Sequence, residues 1–299
     1  MEKIKNAIES NPGRSMIVTS IIGLAFPYGP LIPDYLIVIS LSIMIFLSCF
    51  KIDKPIHTTL SSKLLIFWVM RFIALPIALW AVCKQFAPDY ALGILLLGLC
   101  PAGASSAGLT GLYNGNVTLA LLITIISNIA SVLLIPLVIG TLHHTVIDMP
   151  ILGLLKTLSI CILLPGALYL LLRRRAALIR YSRNYGRLTM VVLLSLITFL
   201  VITKKRDYFL THPQDILVPL LIGFVLYAVA IIYGFSLRGK NADRIAYSVC
   251  STFNNTALGI GLALLYFDEK TIILMIATEI TWALLPAIMQ PLLRRLPSD

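Results

Sequence analysis

Apolar stretches of about 20 residues, the length of a membrane span, follow one another along almost the entire chain. Of the 299 residues, 59% are hydrophobic and 12% are charged, compared with about half and about a quarter in soluble domains. No other feature limits the possible fold as strongly, because in lipid only helices and closed barrels can form hydrogen bonds with all of their backbone N–H and C=O groups. The sequence therefore predicts an all-α polytopic membrane protein, without room for a separate catalytic or nucleic-acid-binding domain.

The apolar stretches predict ten transmembrane helices, of which the first is the weakest because prolines cut it short. The predicted helices cover residues 14–29, 33–50, 63–83, 91–113, 117–141, 150–172, 187–203, 215–236, 245–267 and 271–293. An even number of helices places both chain termini on the same side of the membrane.

The distribution of Lys and Arg predicts the orientation in the membrane. Seventeen of these residues lie on one side of the predicted helices, and five lie on the other: Lys84, Lys204, Lys205, Arg206 and Lys270. Because cytoplasmic loops carry the excess of basic residues, we predict a multi-pass protein of the cell inner (plasma) membrane with both termini cytoplasmic. Basic loops next to the membrane also account for the net charge of +11. We therefore expect the lipid bilayer to be a partner of this protein, and we do not expect nucleic acid to be one.

Two of the predicted helices are interrupted near their middle by small and polar residues. The fourth reads LGLCPAGASSAGLTGLYNGN over residues 97–116, and the ninth reads IAYSVCSTFNNTALGIGLALLYF over residues 245–267. Matching interruptions in the two halves of a chain indicate an inverted repeat, because a second set of five helices enters the membrane from the opposite side. We predict a first repeat over residues 1–148 (helices 1–5) and a second over residues 149–299 (helices 6–10).

The interruptions predict a binding site. Unpaired backbone groups cost several kcal/mol in lipid, so irregular backbone must be buried in protein or line a cavity. We expect the two breaks to cross near mid-membrane, where the ends of the broken helices can hold an ion or an anionic group. The candidate side chains are Ser105, Ser106, Asn254, Asn255 and Thr256. The alternative is a pair of kinks filled by neighbouring side chains.

Three segments together resemble the bile acid:sodium symporter family: CPAGASSAGLTGLYNGNVTLALLIT, RFIALPIALW and STFNNTALGIGLA. The wider superfamily includes arsenite and auxin efflux carriers, and the resemblance covers nearly the whole chain. It implies ten helices in a core domain and a panel domain, with helices 4 and 9 crossing at their breaks. It also implies transport of amphipathic organic anions by alternating access.

The resemblance also implies where sodium ligands would lie, and several are replaced. Sodium-coupled members have a Ser-Asn pair after the break in helix 4, where this chain has Ser106 and Ala107. Their helix 5 has a Ser and, four residues later, a Thr, where this chain has Ala120 and Thr124. Thr124 remains a candidate ligand, whereas Ala107 and Ala120 are lost sodium-ligand positions.

Helices 9 and 3 depart further from the pattern of the family. A family Glu lies four residues before a Gln-Asn pair, and here Cys250 precedes Asn254 and Asn255. A family Gln in helix 3 corresponds to Arg71. Hard cations are held by oxygen ligands, and a guanidinium repels them. The resemblance thus identifies a divergent, bacterial-type member that lacks the usual sodium-site residues.

Two charged residues lie clearly inside predicted helices, Arg71 in the third and Glu279 in the tenth, whereas Lys156 lies near the end of the sixth, where a lysine can extend its ammonium to the membrane surface. A charge at the bilayer centre costs at least about 2.5–3.5 kcal/mol on insertion scales and is a functional hypothesis by default. Arg71 is a candidate substrate or coupling group whose fixed charge replaces sodium, and Glu279 is a candidate proton carrier. The alternative is a structural ion pair, or charges that backbone carbonyls and water satisfy separately.

These observations favour a secondary active transporter of an organic anion, either bile-acid-like or a small carboxylate, coupled to protons or to no ion rather than to sodium. Two alternatives stay open: a sodium-coupled symporter with displaced ion sites, and a non-transporting membrane receptor. The sequence has no P-loop, no HExxH motif and no Ser-His or Cys-His arrangement inside a predicted helix. We therefore expect neither an enzyme nor a primary pump, and neither a cofactor nor a metal site.

Overall fold

The computed structural model describes residues 12–33, 35–50, 61–103, 105–142, 151–211 and 213–293. Within these ranges the chain is helical and contains no β-strand. The helices, numbered in chain order, are α1 (Pro12–Ala25), α2 (Tyr35–Cys49), α3 (Ser62–Phe86), α4 (Pro88–Leu99), α5 (Ser106–Leu112), α6 (Val117–Leu142), α7 (Ile151–Leu172), α8 (Ala176–Lys204), α9 (Arg206–Thr211), α10 (Leu217–Ser236), α11 (Asn241–Thr252), α12 (Thr256–Tyr266) and α13 (Glu269–Leu293).

The predicted all-helical fold is confirmed, and its helices agree with a multi-pass membrane protein. Helices α3, α6, α7, α8 and α10 are long and apolar enough to cross a membrane. Helices α2, α4 and α12 are apolar but shorter. The organisation as ten spans in two inverted repeats stays a prediction, since its boundary between residues 148 and 149 and both chain termini lie outside the described residues.

Helix α8 begins earlier than the sequence analysis predicted. The seventh transmembrane helix was expected at residues 187–203, after a basic loop, but the helix runs from Ala176 to Lys204. The first part of α8 is rich in Ala, Leu and Arg, which have high helix propensity, and its side chains are mostly exposed. Hydropathy marks where a helix enters lipid, whereas the hydrogen-bonded helix continues beyond that point.

Helices α3 and α7 each widen into a π-helical turn directly before a proline. The turns cover Met70–Ala74 and Ser159–Leu163, followed by Pro76 and Pro165. A proline inside a helix has no N–H to donate, and its ring clashes with the carbonyl four residues earlier. A π turn accommodates this irregularity, and such turns are frequent at functional sites. In α3 the π turn carries Arg71.

The helices pack in two groups. In one group α8 lies against α1 and α2, and α2 contacts α7; in the other, α3–α6 and α10–α13 surround the two interruptions. Helices α3 and α4 approach closely at Gly98, where a Cβ atom would lie 2.7 Å from the Cβ of Pro76. This close approach places Arg71 beside the carboxyl-terminal end of α4.

Candidate functional site

The two interruptions meet each other, as the sequence predicts. Residues 100–105 separate α4 from α5, and residues 253–255 separate α11 from α12. Ala102 and Asn254 form an isolated antiparallel bridge at the point of contact. Four helix ends therefore converge on one place in the structure.

Backbone hydrogen bonds join the two interruptions. The amide of Gly103 donates to the carbonyl of Phe253 at 2.7 Å, and the amide of Asn255 donates to the carbonyl of Pro101 at 2.8 Å. The hydroxyl of Ser106 also donates to the carbonyl of Phe253, at 3.0 Å. Each irregular segment thus supplies hydrogen-bond partners for the other, which lipid cannot provide.

Arg71 reaches this crossing from α3 and binds both broken helices. Its Nε donates to the carbonyl of Ser251 at 2.8 Å, and its Nη1 donates to the carbonyl of Gly98 at 2.9 Å. Its Nη2 donates to the side-chain oxygen of Asn254 at 2.7 Å. The residue is only 3% exposed. One guanidinium therefore links the end of α4, the end of α11 and the second interruption.

The carbonyls around Arg71 belong to the last turns of α4 and α11, where backbone carbonyls lack partners inside the helix. Asn254 satisfies one more of them, because its side-chain amide donates to the carbonyl of Leu97 at 2.8 Å. Each helix end carries the equivalent of about half a negative charge. The two ends therefore compensate one guanidinium, and among the described ion pairs Arg71 has no carboxylate partner.

A small cavity adjoins the guanidinium. It has a volume of about 30 Å³ and is lined by Arg71, Tyr227, Ser251 and Asn254 together with apolar side chains of α3, α4 and α10. The hydroxyl of Ser251 is buried and has no hydrogen-bond partner within the described ranges. A cavity of this volume accommodates about one water molecule. It is too small for an organic substrate.

The positions predicted from the sequence as lost sodium ligands lie partly at a second contact, between α6 and α11. The hydroxyl of Thr124 donates to the carbonyl of Ala120 at 2.8 Å, and the thiol of Cys250 donates to the same carbonyl at 3.7 Å. Ala120 and Cys250 are fully buried, and Ala107 packs against their apolar cluster. The side chains of Ala107, Ala120 and Cys250 supply no oxygen ligand of the kind that hard cations prefer, so the oxygen atoms at this contact are the carbonyl of Ala120 and the hydroxyl of Thr124.

The remaining predicted side chains lie at the amino-terminal ends of the second half-helices. Asn255 caps α12, because its side-chain oxygen accepts from the amide of Leu258 at 3.2 Å. Thr256 is the first residue of α12 and is buried, and Ser105 is half-buried directly before α5. The crossing thus has a carbonyl side, which Arg71 occupies, and an amide side, which these residues line.

Glu279 lies in α13 beside the amide side of the crossing. It is 2% exposed, and neither carboxyl oxygen has a hydrogen-bond partner in the described part of the chain. The hydroxyl of Thr256 lies close enough to the carboxyl group to interact with it, although no hydrogen bond of normal geometry joins the two side chains. The hydroxyl of Tyr227 donates to the carbonyl of Thr278, the preceding residue, at 3.3 Å. The structure therefore does not contain the ion pair between Arg71 and Glu279 that the sequence left open.

The sequence analysis missed two side chains of α6 that support the first interruption. The hydroxyl of Ser127 accepts from the amide of Ala102 at 3.1 Å, and the side-chain amide of Asn128 donates to the carbonyl of Ala102 at 3.0 Å. Their signal in the sequence is the polar group of Ser127, Asn128 and Ser131 inside an otherwise apolar helix.

Comparison with known proteins places this chain beside membrane transporters. A family model described as the Sodium Bile acid symporter family matches residues 34–212, which include Arg71 and the first interruption. The chain is 33% identical to the probable sodium/metabolite cotransporter BASS1, chloroplastic, of Arabidopsis thaliana over 100 residues, which are 33% of this chain and 25% of the relative. It is 20% identical to the uncharacterized protein YbaS of Bacillus subtilis over 209 residues, 68% of each chain. The match thus spans only a quarter of the plant protein.

Proposed function

The chain belongs to the sodium bile acid symporter family, whose model matches more than half of it, and on this premise we propose that it is a secondary active transporter. The proposed substrate is an organic anion, either bile-acid-like or a small carboxylate. The proposed location is the cell inner membrane, with both termini cytoplasmic. Members of the family move solutes across membranes, so enzymatic activity is not part of the proposal.

The proposed binding site for the anion is the amide side of the crossing. Helix amino termini present N–H groups without helical partners and about half a positive charge. Asn255 and Thr256 lie at the start of α12, and Ser105 and Ser106 lie at the start of α5. The hydroxyl of Ser105 and the side-chain amide of Asn255 would add further donors for a carboxylate. Ser106 and the candidate ligand from α6, Thr124, already donate to backbone carbonyls and would exchange those hydrogen bonds for bonds to the substrate.

Alternating access is proposed to arise from the two groups of helices. Helices α1, α2, α7 and α8 would form the panel domain, and α3–α6 with α10–α13 would form the core domain. The crossing lies within the second group, so a rocking motion of one group against the other would expose it to each side in turn. Inverted repeats over residues 1–148 and 149–299 would relate the two states.

The specific part of the proposal is that transport does not use the sodium sites of the family. The observation that carries it is the set of three hydrogen bonds from Arg71 to Gly98, Ser251 and Asn254. A bound cation could hold the carbonyl ends of two broken helices together, and here the guanidinium of Arg71 makes those contacts. A guanidinium with fixed geometry would keep the crossing assembled without a coupling sodium.

Transport by purified protein in liposomes tests this proposal. Uptake of radiolabelled taurocholate and of pyruvate should proceed at the same rate in sodium and in choline buffer of equal ionic strength. The Arg71→Gln variant restores the neutral residue type of the family and should transport more slowly in both buffers. A steep sodium dependence of the unsubstituted protein would contradict sodium independence.

Two alternatives remain as outcomes of the same experiment. A sodium-coupled symporter with displaced ion sites is favoured by the name of the Arabidopsis relative, and it predicts sodium-dependent uptake. A non-transporting receptor predicts no uptake, while the probe still raises the midpoint of thermal unfolding by binding the folded state.

A further inference from the structure

Glu279 is a buried carboxyl group for which the proposed function has no use. It is 2% exposed, and both of its oxygens lack hydrogen-bond partners within the described ranges. An isolated ionised carboxylate is far more costly to bury than a neutral carboxylic acid. A group in this position therefore needs either a bound proton or a bound cation.

The neighbours of Glu279 provide little compensation for a negative charge. Its helix packs against α10, α4, α12, α1 and the turn Pro213–Ile216, whose titratable or charged residues are Tyr227, Tyr233, Asp89, Tyr90, Tyr266, Arg14 and Asp215. Tyr227 interacts electrostatically with Glu279.

Four of the charged residues at the first turn of α13, and Arg71, have partners other than Glu279. Asp215 pairs with Lys270 at 2.8 Å, and Glu269 pairs with Lys205 at 3.2 Å, both at the first turn of α13. Arg71 is held by the carbonyl side of the crossing. None of these described cations forms an ion pair with Glu279.

The position of Glu279 connects it with the amide side of the crossing. Thr256, which lies beside Glu279, is the first residue of α12. The amino terminus of α12 carries about half a positive charge. An ionised Glu279 would therefore use the same positive potential that is available to an anionic substrate, and it would repel that substrate.

We propose that Glu279 is the proton-binding residue of this carrier, and that its protonation opens the amide side of the crossing to the substrate anion. One proton from water forms an O–H bond with the carboxylate, and the charge of the residue changes from −1 to 0. The anion then binds without a like charge nearby. On the opposite side of the membrane, loss of the proton restores the carboxylate and expels the anion.

This proposal rests on the proposed function and deepens it, because it assigns proton symport to the carrier. The two charges at the crossing take different roles: Arg71 is a permanent cation on the carbonyl side, and Glu279 is a removable anion near the amide side. Linkage makes the effect reciprocal, so a proton that favours anion binding is itself bound more tightly when the anion is present.

Infrared difference spectroscopy of the purified full-length protein tests proton binding without any substrate. The unsubstituted protein should show the carbonyl stretch of a buried protonated carboxylic acid, and this band should disappear as the pH is raised. The band should be absent from E279Q, shifted in E279D, and unchanged in E269Q, in which a partly exposed carboxylate of the same helix is removed. A pH-dependent band that persists in E279Q, or its absence from the unsubstituted protein, would overturn the proposal.

Uptake into liposomes tests the coupling separately, with radiolabelled taurocholate and pyruvate as probes. An inwardly directed proton gradient should stimulate uptake by the unsubstituted protein and by E269Q, because protonation on the outer side favours binding of the anion. E279Q should lose this stimulation. Equal stimulation of E279Q, or stimulation by a sodium gradient that E279Q abolishes, would overturn proton coupling.

The two experiments fail in different ways. If no probe is transported by any variant while the infrared band depends on Glu279, the proposed function fails and the proton site stands. If E279Q is inactive, E279D decides: stimulation by the proton gradient supports the proposal, and uptake that ignores the gradient overturns it.

Discussion

The first interruption, residues 100–105, contributes mainly backbone groups to the crossing, whereas the second, residues 253–255, also contributes side chains. The side chain of Asn254 binds both Arg71 and a carbonyl of α4, and Asn255 caps α12. The first interruption instead receives side-chain hydrogen bonds from α6. The first interruption is therefore stabilised by side chains of a neighbouring helix, whereas the second uses its own side chains to bind Arg71 and α4.

This difference has a consequence for substitutions. Small residues in the first interruption allow two backbones to approach, so changes there should act through size. Polar residues in the second interruption form hydrogen bonds inside the protein. Substitutions there should therefore lower the free energy of unfolding by leaving buried polar groups without partners. The four predictions that follow test this contrast, from the largest expected effect to the smallest.

Arg71→Gln should have the largest effect, because Arg71 joins both interruptions. Its loss leaves the carbonyls of Gly98 and Ser251 without their donor. Each buried polar group left unpaired costs about 1–3 kcal/mol, so the two together should cost about 2–6 kcal/mol. Denaturant unfolding in detergent should show this loss of free energy of unfolding. Arg71→Lys should restore only part of it, because an ammonium lacks the planar fork of the guanidinium. Near-normal stability of Arg71→Gln would show that the two ends of the half-helices do not depend on a cation.

Asn254→Ala should have the next largest effect and tests the side-chain role of the second interruption. The substitution removes a hydrogen bond to a charged group and a hydrogen bond to the carbonyl of Leu97, which together contribute about 2–4 kcal/mol. The matched control in the first interruption is Ser105→Ala, at a half-buried position, which should change the free energy of unfolding by less than about 0.5 kcal/mol. Equal effects of the two substitutions would remove the contrast between the interruptions.

Gly103→Ala tests the role of size in the first interruption. A Cβ atom at Gly103 would lie 2.9 Å from the carbonyl oxygen of Asn254 and 3.1 Å from that of Phe253. Both atoms belong to backbone and cannot turn away, so overpacking should cost about 1–3 kcal/mol in the free energy of unfolding. Gly108→Ala is the control, because among the described residues no atom outside its own helical backbone and chain neighbours lies within 4 Å of a Cβ there. That control should be neutral or stabilising, since Ala favours the helix over Gly.

Asn255→Ala should have the smallest effect, because this side chain faces the start of α12 rather than the other interruption. Loss of the cap on the amide of Leu258 should lower the free energy of unfolding by about 1 kcal/mol. Asn255→Ser retains a capping oxygen and should restore most of that stability. If Asn255→Ala instead abolishes transport while stability falls by this small amount, Asn255 also contacts the substrate.

Several features of this protein follow from local sequence. The length of the apolar stretches predicts the helices, because every backbone group in lipid must be paired within a helix. Clusters of small and polar residues at 97–116 and 245–267 predict the two interruptions. The resemblance to the family likewise predicts, without a structure, that Ala120, Cys250 and Arg71 stand where other members have oxygen ligands. Hydropathy did not locate the start of α8, which begins at Ala176 rather than at residue 187. It indicates contact with lipid and not helical hydrogen bonding.

The partners of the polar side chains were decided by the tertiary structure. The nitrogens of Arg71 bind groups 27, 180 and 183 residues away in the chain, whereas the sequence left an ion pair with Glu279 open. Ser127 and Asn128 were equally ambiguous, since a polar residue in an apolar helix can bond its own backbone or another segment. Sequence determines which groups must be satisfied, because burying them unpaired is costly. Which groups satisfy them depends on distances of about 3 Å between separate helices, and only packing sets those distances.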